Sequence, residues 1–344
     1  MWQLTWLKKN SLVKTRQSHK KVLVTGANSL LGTNTIIELL HQGYKVRGML
    51  RKLSSFKAPL HPNLEFFQGS FINGEHLGSA IESCNYLIHT AAITDQNLLD
   101  FSDYENVNVK AVSMLIDMCR KSAIEKLIFA GSANACGHGT PGEPGTELTP
   151  PAWPFTNSYY AQSKIKAQEI ILEATQQNSN TEYIIINPGF MLGPWDFKPS
   201  SGRIIEMYLN QKIIIAPPGG KSFVNVKDVA RAMVNALEKG KNGQIYLLTG
   251  ENISYKTFFE KLNLLTGKNK PVFVLPPWLM LSAGKLGDLM RLMKIKTSLS
   301  TVNTRILCEH VWYSNQKAAK ELGISFTPID KTLTDTLLWF DKNG

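Results

Sequence analysis

The chain has 344 residues, 43% of them hydrophobic and 19% charged, with 7 Trp, 10 Tyr and 15 Phe. That balance excludes a disordered, collagen-like or coiled-coil protein and leaves room for one large α/β unit or two modest domains. The formal net charge is +11, but Lys8, Lys9, Lys14, Arg16, Lys20 and Lys21 supply six positive charges before residue 22 with no acid among them, leaving +5 for the rest. No basic stripe interleaved with aromatics follows, so the charge does not describe a nucleic-acid binder.

Residues 1–20 make a basic start in which Trp2, Leu4, Trp6 and Leu7 precede the lysines. It reads as a mobile extension, with a targeting peptide or a surface-adhering arm as alternatives. No run of about 18 uncharged apolar residues is present, so no membrane span is expected. The nearest stretch, 275–293, is broken by Pro276, Pro277, Gly284, Lys285 and Asp288. Cys84, Cys119, Cys136 and Cys308 stand far apart with no C-x-x-C pair. This signals neither a metal site nor a disulfide scaffold and points to a reducing, cytoplasmic setting.

From residue 21 onward, short apolar runs alternate with helical patterns. The periodicity predicts strands at 21–25, 45–50, 64–68, 86–89, 126–131 and 182–187, and helices at 30–42, about 104–121, and 158–175. Strands alternating with helices of this length require right-handed βαβ crossovers, hence a parallel, doubly wound α/β sheet. After Asn187 the prolines Pro188, Pro194, Pro199, Pro217 and Pro218, with Gly219 and Gly220, break the rhythm into shorter pieces suited to a separate lobe. Residues 226–248 read as one more helix and strand returning to the sheet.

The first strand ends in Thr25-Gly26-Ala27-Asn28-Ser29-Leu30-Leu31-Gly32 and runs straight into a helix. Such a turn lets backbone N–H groups and the positive helix end meet a pyrophosphate, while the last glycine permits close helix-to-strand packing. The segment resembles the T-G-x-x-G-x-x-G loop of the extended short-chain dehydrogenase/reductase family, with Ser29 in place of the middle glycine. Further landmarks of that family follow in order: His89-Thr90-Ala91-Ala92, Asn108-Val109, Gly131-Ser132-Ala133 and Tyr160-Ala161-Gln162-Ser163-Lys164.

The resemblance covers about residues 21–342. It implies a Rossmann sheet with a smaller C-terminal substrate-binding lobe, and a homodimer built on the helices near 108–121 and 158–175. The division expected is discontinuous: a tail over 1–20, a dinucleotide-binding domain over 21–190 and 226–250, and a substrate lobe over 191–225 and 251–344. In this family the cofactor would meet Gly26, Asn28, Ser29, Leu30, Leu31 and Gly32 of the first turn, Ala91 and Ala92 after the fourth strand, and Pro188 and Gly189 after the sixth. Ser70 and Phe71 stand where the family usually has an acid that contacts the adenine.

The end of the second strand decides the form of the cofactor, because an acid there holds the ribose hydroxyls of NAD whereas a cation accepts a 2′-phosphate. The segment Val46-Arg47-Gly48-Met49-Leu50-Arg51-Lys52 has no acid. Arg51 is placed like the phosphate-binding arginine of the dihydroflavonol-reductase branch, and an arginine fork suits a phosphate. NADP(H) is therefore the preferred form, with NAD(H) the other.

Tyr160 and Lys164 lie four apart and share one helix face. A free phenol, with a pKa near ~10, is a poor base at neutral pH, and a nearby ammonium together with an oxidised nicotinamide favours its phenolate. Tyr159 faces about 100° away and reads as a packing or pocket-wall residue. Ser132 follows a strand at the carboxyl edge of the sheet, where its hydroxyl can hold the substrate oxygen. Asn108 resembles the family's helix-kinking asparagine, which holds a water near the lysine. Both Tyr160 and Lys164 would also touch the cofactor. The chemistry implied is hydride transfer at nicotinamide C4, with Tyr160 passing the proton. Cys136 and His138 read as loop residues bordering the pocket.

Dehydratases of the family carry an Asp-Glu pair after the catalytic hydroxyl residue, where this chain has Ala133-Asn134. Nucleotide-sugar enzymes show an asparagine two residues after the proline of the sixth strand, where this chain has Phe190. Phe190, Met191, Trp195, Phe197 and Phe223 are expected to form an apolar wall. The expected function is thus an oxidoreductase acting on a hydrophobic ketone or secondary alcohol, similar to dihydroflavonol reductases. The alternatives are a sugar or nucleotide-sugar epimerase of the same family, and a redox-silent NADP-binding regulatory protein.

Overall fold

The computed structural model describes residues 19–177 and 179–343. The basic start with Trp2, Leu4, Trp6, Leu7 and the cations through Arg16 lies outside the described residues. β1 (Lys21–Thr25) leads into α1 (Leu30–His41), then β2 (Lys45–Leu50), β3 (Leu64–Gln68), α2 (Gly74–Ile81) and β4 (Tyr86–His89). α3 (Phe101–Tyr104) passes through a π-helical turn at Glu105–Val109 into α4 (Lys110–Arg120), followed by β5 (Lys126–Ala130), α5 (Tyr159–Thr175) and β6 (Glu182–Pro188). The second half supplies β7 (Phe190–Leu192), α6 (Arg203–Asn210), β8 (Ile214–Ala216) and β9 (Gly220–Asn225) before α7 (Val226–Lys239) and β10 (Ile245–Leu248). Then come β11 (Glu251–Ser254), α8 (Tyr255–Thr266), β12 (Val272–Val274), α9 (Pro277–Leu292), α10 (Thr301–Cys308), β13 (His310–Val311), α11 (Gln316–Leu322) and α12 (Ile329–Asn343).

Seven strands pair in parallel in the order β10-β6-β5-β4-β1-β2-β3. The order reverses between β1 and β4, the switch point where doubly wound sheets open a crevice at their carboxyl ends. Side chains alternate across each strand, so Val22 and Val24 enter one core with α1 and α7 while Leu23 enters the other with α4 and α5. Both faces are covered, which is why the strands read as continuous apolar runs. α2 was not expected from the sequence. It is short and carries Gly74 and Gly78, both weak helix formers. It forms because Asn73 caps it, accepting from His76 N–H at 2.9 Å, and because Leu77, Ala80 and Ile81 are buried.

Four of the remaining strands build a smaller sheet centred on β9, with β11 antiparallel to it and β13 and β7 parallel, while β8 and β12 pair in parallel by themselves. A third core of Tyr208, Phe223, Phe258, Phe259, Leu262 and Leu333 fills this part. Phe223 is stacked on Phe258 with ring centroids 4.4 Å apart and is 1% exposed. This corrects its reading as a pocket wall: stacking on a neighbour 35 residues away leaves no signal in local periodicity. Among the described residues no helix is long and apolar enough to cross a membrane.

Candidate active site

The turn after β1 is shaped by close backbone approach. Gly26 has φ +72°, and an added Cβ there would lie 2.8 Å from the Ala91 amide nitrogen. At Gly32 a Cβ would lie 2.1 Å from the Gly26 carbonyl oxygen, so the start of α1 abuts the turn and tolerates no side chain at that point. Ser29 is the N-cap of α1, its Oγ accepting from Gly32 N–H at 3.0 Å. Its own N–H donates to Gly26 O at 2.9 Å. Of the four amides that a helix start leaves without intrahelical partners, those of Leu30 and Leu31 therefore remain as donors at the positive end of α1. This is a cradle of the kind a pyrophosphate fills. The serine at the middle glycine position is spent on the helix rather than standing over the turn.

Asn28 ties this turn to the loop after β2, its Nδ2 donating to Ser55 Oγ at 2.8 Å. Arg51 lies exposed at the end of β2, and none of the described residues pairs with its guanidinium. Beyond β3, Ser70 N–H donates to His76 Nδ1 at 3.4 Å, and Phe71 stands edge-on to His89 with centroids 5.3 Å apart. Ala91 and Ala92 follow β4 directly. Pro188 ends β6, and Gly189 passes so near β9 that a Cβ would lie 2.6 Å from Ser222 O.

Ser132, Tyr160 and Lys164 converge at the carboxyl edge of β5. Burial pushes the Tyr160 phenol pKa up, and the neighbouring Ser132 side chain opposes that rise. Ser132 caps a short 3₁₀ turn at Ala133–Ala135, its Oγ accepting from Asn134 N–H at 3.2 Å. Lys164 is 3% exposed and donates from Nζ to Ala130 O at 3.1 Å, over the Phe129 ring at 5.2 Å. Burial lowers its pKa from 10.5 to about 8. His89 stacks on the other residue of this layer, Phe129, at 5.8 Å and shares a 2.7 Å hydrogen bond with Thr25 Oγ1. Burial, and then the Lys164 ammonium, lower its pKa from 6.5 to about 3 and keep it neutral.

Asn108 sits in the π turn, 2% exposed. Its Oδ1 accepts from Ile93 N–H at 2.9 Å, and its Nδ2 donates to Ile93 O and to Ser163 Oγ, both at 3.0 Å. Ser163 in turn donates to Tyr160 O at 2.7 Å, so the side chain beside Lys164 is locked from two helices. Asn187, which the sequence reading passed over, holds Ser132: its Oδ1 accepts from Ser132 N–H at 3.0 Å and its Nδ2 donates to Gln168 Oε1 at 2.8 Å. The available signal was a fully buried amide closing the apolar run Tyr183-Ile184-Ile185-Ile186. A Cβ on Gly131 would lie 1.9 Å from that Oδ1, which accounts for glycine before Ser132.

The cleft that Tyr160 lines is bounded by Leu98, Leu99 and Tyr104 on one side, Ser158 and Tyr159 at the start of α5, and Asp288, Arg291, Val302 and Asn303 from the C-terminal part. Arg291 Nη2 donates to Leu98 O at 2.6 Å and Tyr104 O–H donates to Asp95 O, so α9 and α3 hold the loop after β4. Phe190, Met191, Trp195 and Phe197 are not among the residues lining this cleft. Phe190 stands edge-on to Phe223 at 5.3 Å, Met191 O accepts from Ser201 O–H, and Phe197 lies 6.0 Å from Trp195 and 5.0 Å from Trp339. Phe190 packs on the core of the smaller lobe, whereas Met191 packs on the core beneath α1 and α7. Cys136 and His138 are likewise not cleft residues: Cys136 is 2% exposed in a small core with Phe155 and Tyr313, and His138 stands edge-on to Phe155 at 5.4 Å.

The buried Lys164 and His89 set a sign for stability against pH. Folded His89 binds fewer protons than unfolded between pH 3 and 6.5, as does Lys164 between pH 8 and 10.5. Stability therefore rises with pH through both windows. The buried thiols of Cys84 and Cys136, pushed up from 9 to about 11, and Tyr104 and Tyr246, pushed up to about 12, oppose the rise from about pH 9 upward. Thermal melts of the cofactor-free protein should show the change in Tm between about pH 8 and 9.5 turning less positive in Lys164→Met than in the native protein, with Lys221, also lowered to about 8, acting alike in both. An unchanged slope in that variant would remove Lys164 as the cause.

A doubly wound sheet with a glycine-shaped turn at its switch point and a serine, tyrosine and lysine converging beside it defines a dehydrogenase/reductase of the extended short-chain type. The model of the NAD dependent epimerase/dehydratase family matches residues 22–249, and the chain belongs to that family. It is 29% identical over 326 residues to sterol demethylase protein B of Methylococcus capsulatus, covering 94% of this chain and 98% of that protein. It is 28% identical over 327 residues to a presumed dihydroflavonol 4-reductase of Synechocystis sp., covering 93% and 94%. The crystal structure of gox2253 superposes with a TM-score of 0.82 at 27% identity, covering 94% of this chain and 99% of that one. The protein is accordingly an enzyme of the NAD(P)-dependent oxidoreductase/epimerase class, which sets the regulatory alternative aside.

Proposed function

We propose that the protein is an NADP(H)-dependent oxidoreductase that interconverts a hydrophobic, ring-bearing ketone and its secondary alcohol. The observation that carries this reading is the meeting of the Tyr160 and Ser132 hydroxyls over a buried Lys164, at a cleft that Tyr160 itself lines. The cofactor half comprises 21–190 and 226–250, and the substrate half 191–225 and 251–344. A bound nicotinamide would supply or accept the hydride. The residues do the rest: the Ser132 hydroxyl holds the substrate oxygen, Tyr160 gives it a proton on reduction and takes one on oxidation, and the Lys164 ammonium favours the phenolate against the burial that opposes it. Lys164 has a second task at the ribose. Asn108 and Asn187 position Lys164 and Ser132 through the bonds given above.

The turn after β1 fits a dinucleotide, since the Leu30 and Leu31 amides are unspent and Gly26 and Gly32 leave no Cβ in the way. The cationic Arg51 supports the phosphorylated form. Ala133 and Asn134 occupy the place where elimination of water needs an acid and a base. Two of the similar proteins are named for a sterol and a flavonol, which supports a ring-bearing substrate.

Turnover and thermal shift with NADPH should favour alicyclic and aromatic ketones over UDP- and dTDP-sugars. If a nucleotide sugar both stabilises the protein and is epimerised while every ketone is inert, the epimerase reading replaces this one.

A further inference from the structure

Helix α9 has its small residues inside and its large apolar residues outside. Its buried residues are Gly284 and Gly287. A Cβ on Gly284 would lie 2.2 Å from Thr304 Oγ1, and one on Gly287 would lie 2.4 Å from Leu299 O, so the glycines seat α9 directly on α10 and the segment before it. At 100° per residue, Leu279, Leu286, Leu289 and Met293 share an arc of about 80° roughly opposite those glycines. These four side chains are 40–66% exposed. The apolar surface continues through Trp278 at the start of α9, Leu292 at its end and Ile295 beyond it, all exposed.

The charge around this surface has one sign. Residues 285–296 carry the exposed Lys285, Lys294 and Lys296, with Arg291 turned inward to Leu98 O, against a single acid, Asp288. That carboxylate is engaged by Thr301, through its N–H at 3.1 Å and its hydroxyl at 2.5 Å. A helix that only packs on its own protein puts leucines inward, and a contiguous apolar face left outward marks a docking surface. We propose that this face docks on an anionic lipid bilayer, with α9 lying in the headgroup layer, the leucines toward the acyl chains, and Lys285, Lys294 and Lys296 against lipid phosphates. A basic, leucine-rich helix with a tryptophan at one end matches that environment. A protein partner would have to supply a compensating acid for each lysine, whereas an anionic membrane supplies negative charge over its whole surface.

The inner side of the same helix lines the Tyr160 cleft through Asp288 and Arg291, so docking places the cleft beside the lipid. That corollary rests on the proposed hydrophobic substrate; the docking itself does not.

The test is co-sedimentation of the full chain with phosphatidylcholine vesicles, with and without about 30% phosphatidylserine, compared with Leu286→Glu/Leu289→Glu and with Lys294→Glu/Lys296→Glu. All four positions are exposed, and circular dichroism verifies that each variant is folded. The expected result is binding that requires phosphatidylserine, weakens with salt, and falls by about tenfold or more in each variant. Binding undiminished in both variants would assign it to the basic N-terminal start and overturn the proposal. So would absence of vesicle binding accompanied by self-association that the leucine variant abolishes, because the face would then be an interface between copies. Since the readout is sedimentation, a failed ketone assay leaves this result standing, and a failed vesicle assay leaves the oxidoreductase reading standing.

Discussion

Tyr160→Phe is expected to lower turnover by at least about 10², the lower range for losing a positioned acid or base. The ring stays in place and only the proton-bearing oxygen is lost. Its interaction with the Ser132 side chain goes with it. Lys164→Met should match that loss for a different reason. It removes a buried ammonium and its bond to Ala130 O at 3.1 Å, leaving the Ser132 side chain to oppose the burial that raises the phenol pKa. It should also weaken cofactor binding, since the proposed contact to the ribose goes with the ammonium. Tyr159→Phe should be mild, because that side chain is 40% exposed and meets Phe101 edge-on at 5.9 Å through its ring rather than its hydroxyl. Steady-state rates at saturating cofactor rank the three variants. If Tyr159→Phe proved the more damaging of the two tyrosine changes, the proton carrier would have been misassigned.

Arg51→Glu is expected to abolish a preference for NADP(H) over NAD(H) of ten- to hundredfold. A charge-assisted hydrogen bond to a 2′-phosphate is worth about 1.5–3 kcal/mol, or about one to two decades of affinity. The carboxylate introduced would repel that phosphate and could instead accept from ribose hydroxyls, so the two affinities should move in opposite directions. The guanidinium has no partner among the described residues to compete with the phosphate, and α1 starts nearby with its amides of Leu30 and Leu31 unspent. Calorimetric titration with both cofactors decides. Equal affinities in the native protein, or a preference unchanged by Arg51→Glu, would show that another residue reads the ribose.

The sheet was legible because both of its faces are covered, so β1, β5 and β6 appear as apolar runs between helical stretches of a length that forces parallel crossovers. Tyr160 and Lys164 were legible because their four-residue spacing has a chemical reason within one helix. Where contacts cross large separations the sequence was silent. Nothing local announces that Phe197 packs on Trp339, or that Arg291 reaches the Leu98 carbonyl to close the cleft. The contribution of residues 288–303 to the cleft beside Tyr160 has no local signal. Asn187 was overlooked because an asparagine before a proline reads as the end of a strand, and only the fold shows its amide bridging Ser132 and Gln168. The outward leucines of α9 were equally hidden, since periodicity tells that a helix has an apolar side but not which way it points.

The strand order has a consequence for how the chain is made. β1 emerges first and occupies the middle of the sheet, with β2 and β3 added to one flank and β4, β5, β6 and β10 to the other. Each strand thus meets an edge that is already synthesised, and no pairing in the large sheet waits for a segment further along than the strand being added. The smaller sheet is the opposite case: β9 at 220–225 needs β13 at 310–311, so its edge stays open until nearly the whole chain has left the ribosome. Domains generally form as units during synthesis, and pairings of high sequence separation close late. The large sheet can therefore assemble while the smaller one is unfinished, and Gly220 and Lys221, the part of β9 that waits for β13, are open to wrong pairing in the interval.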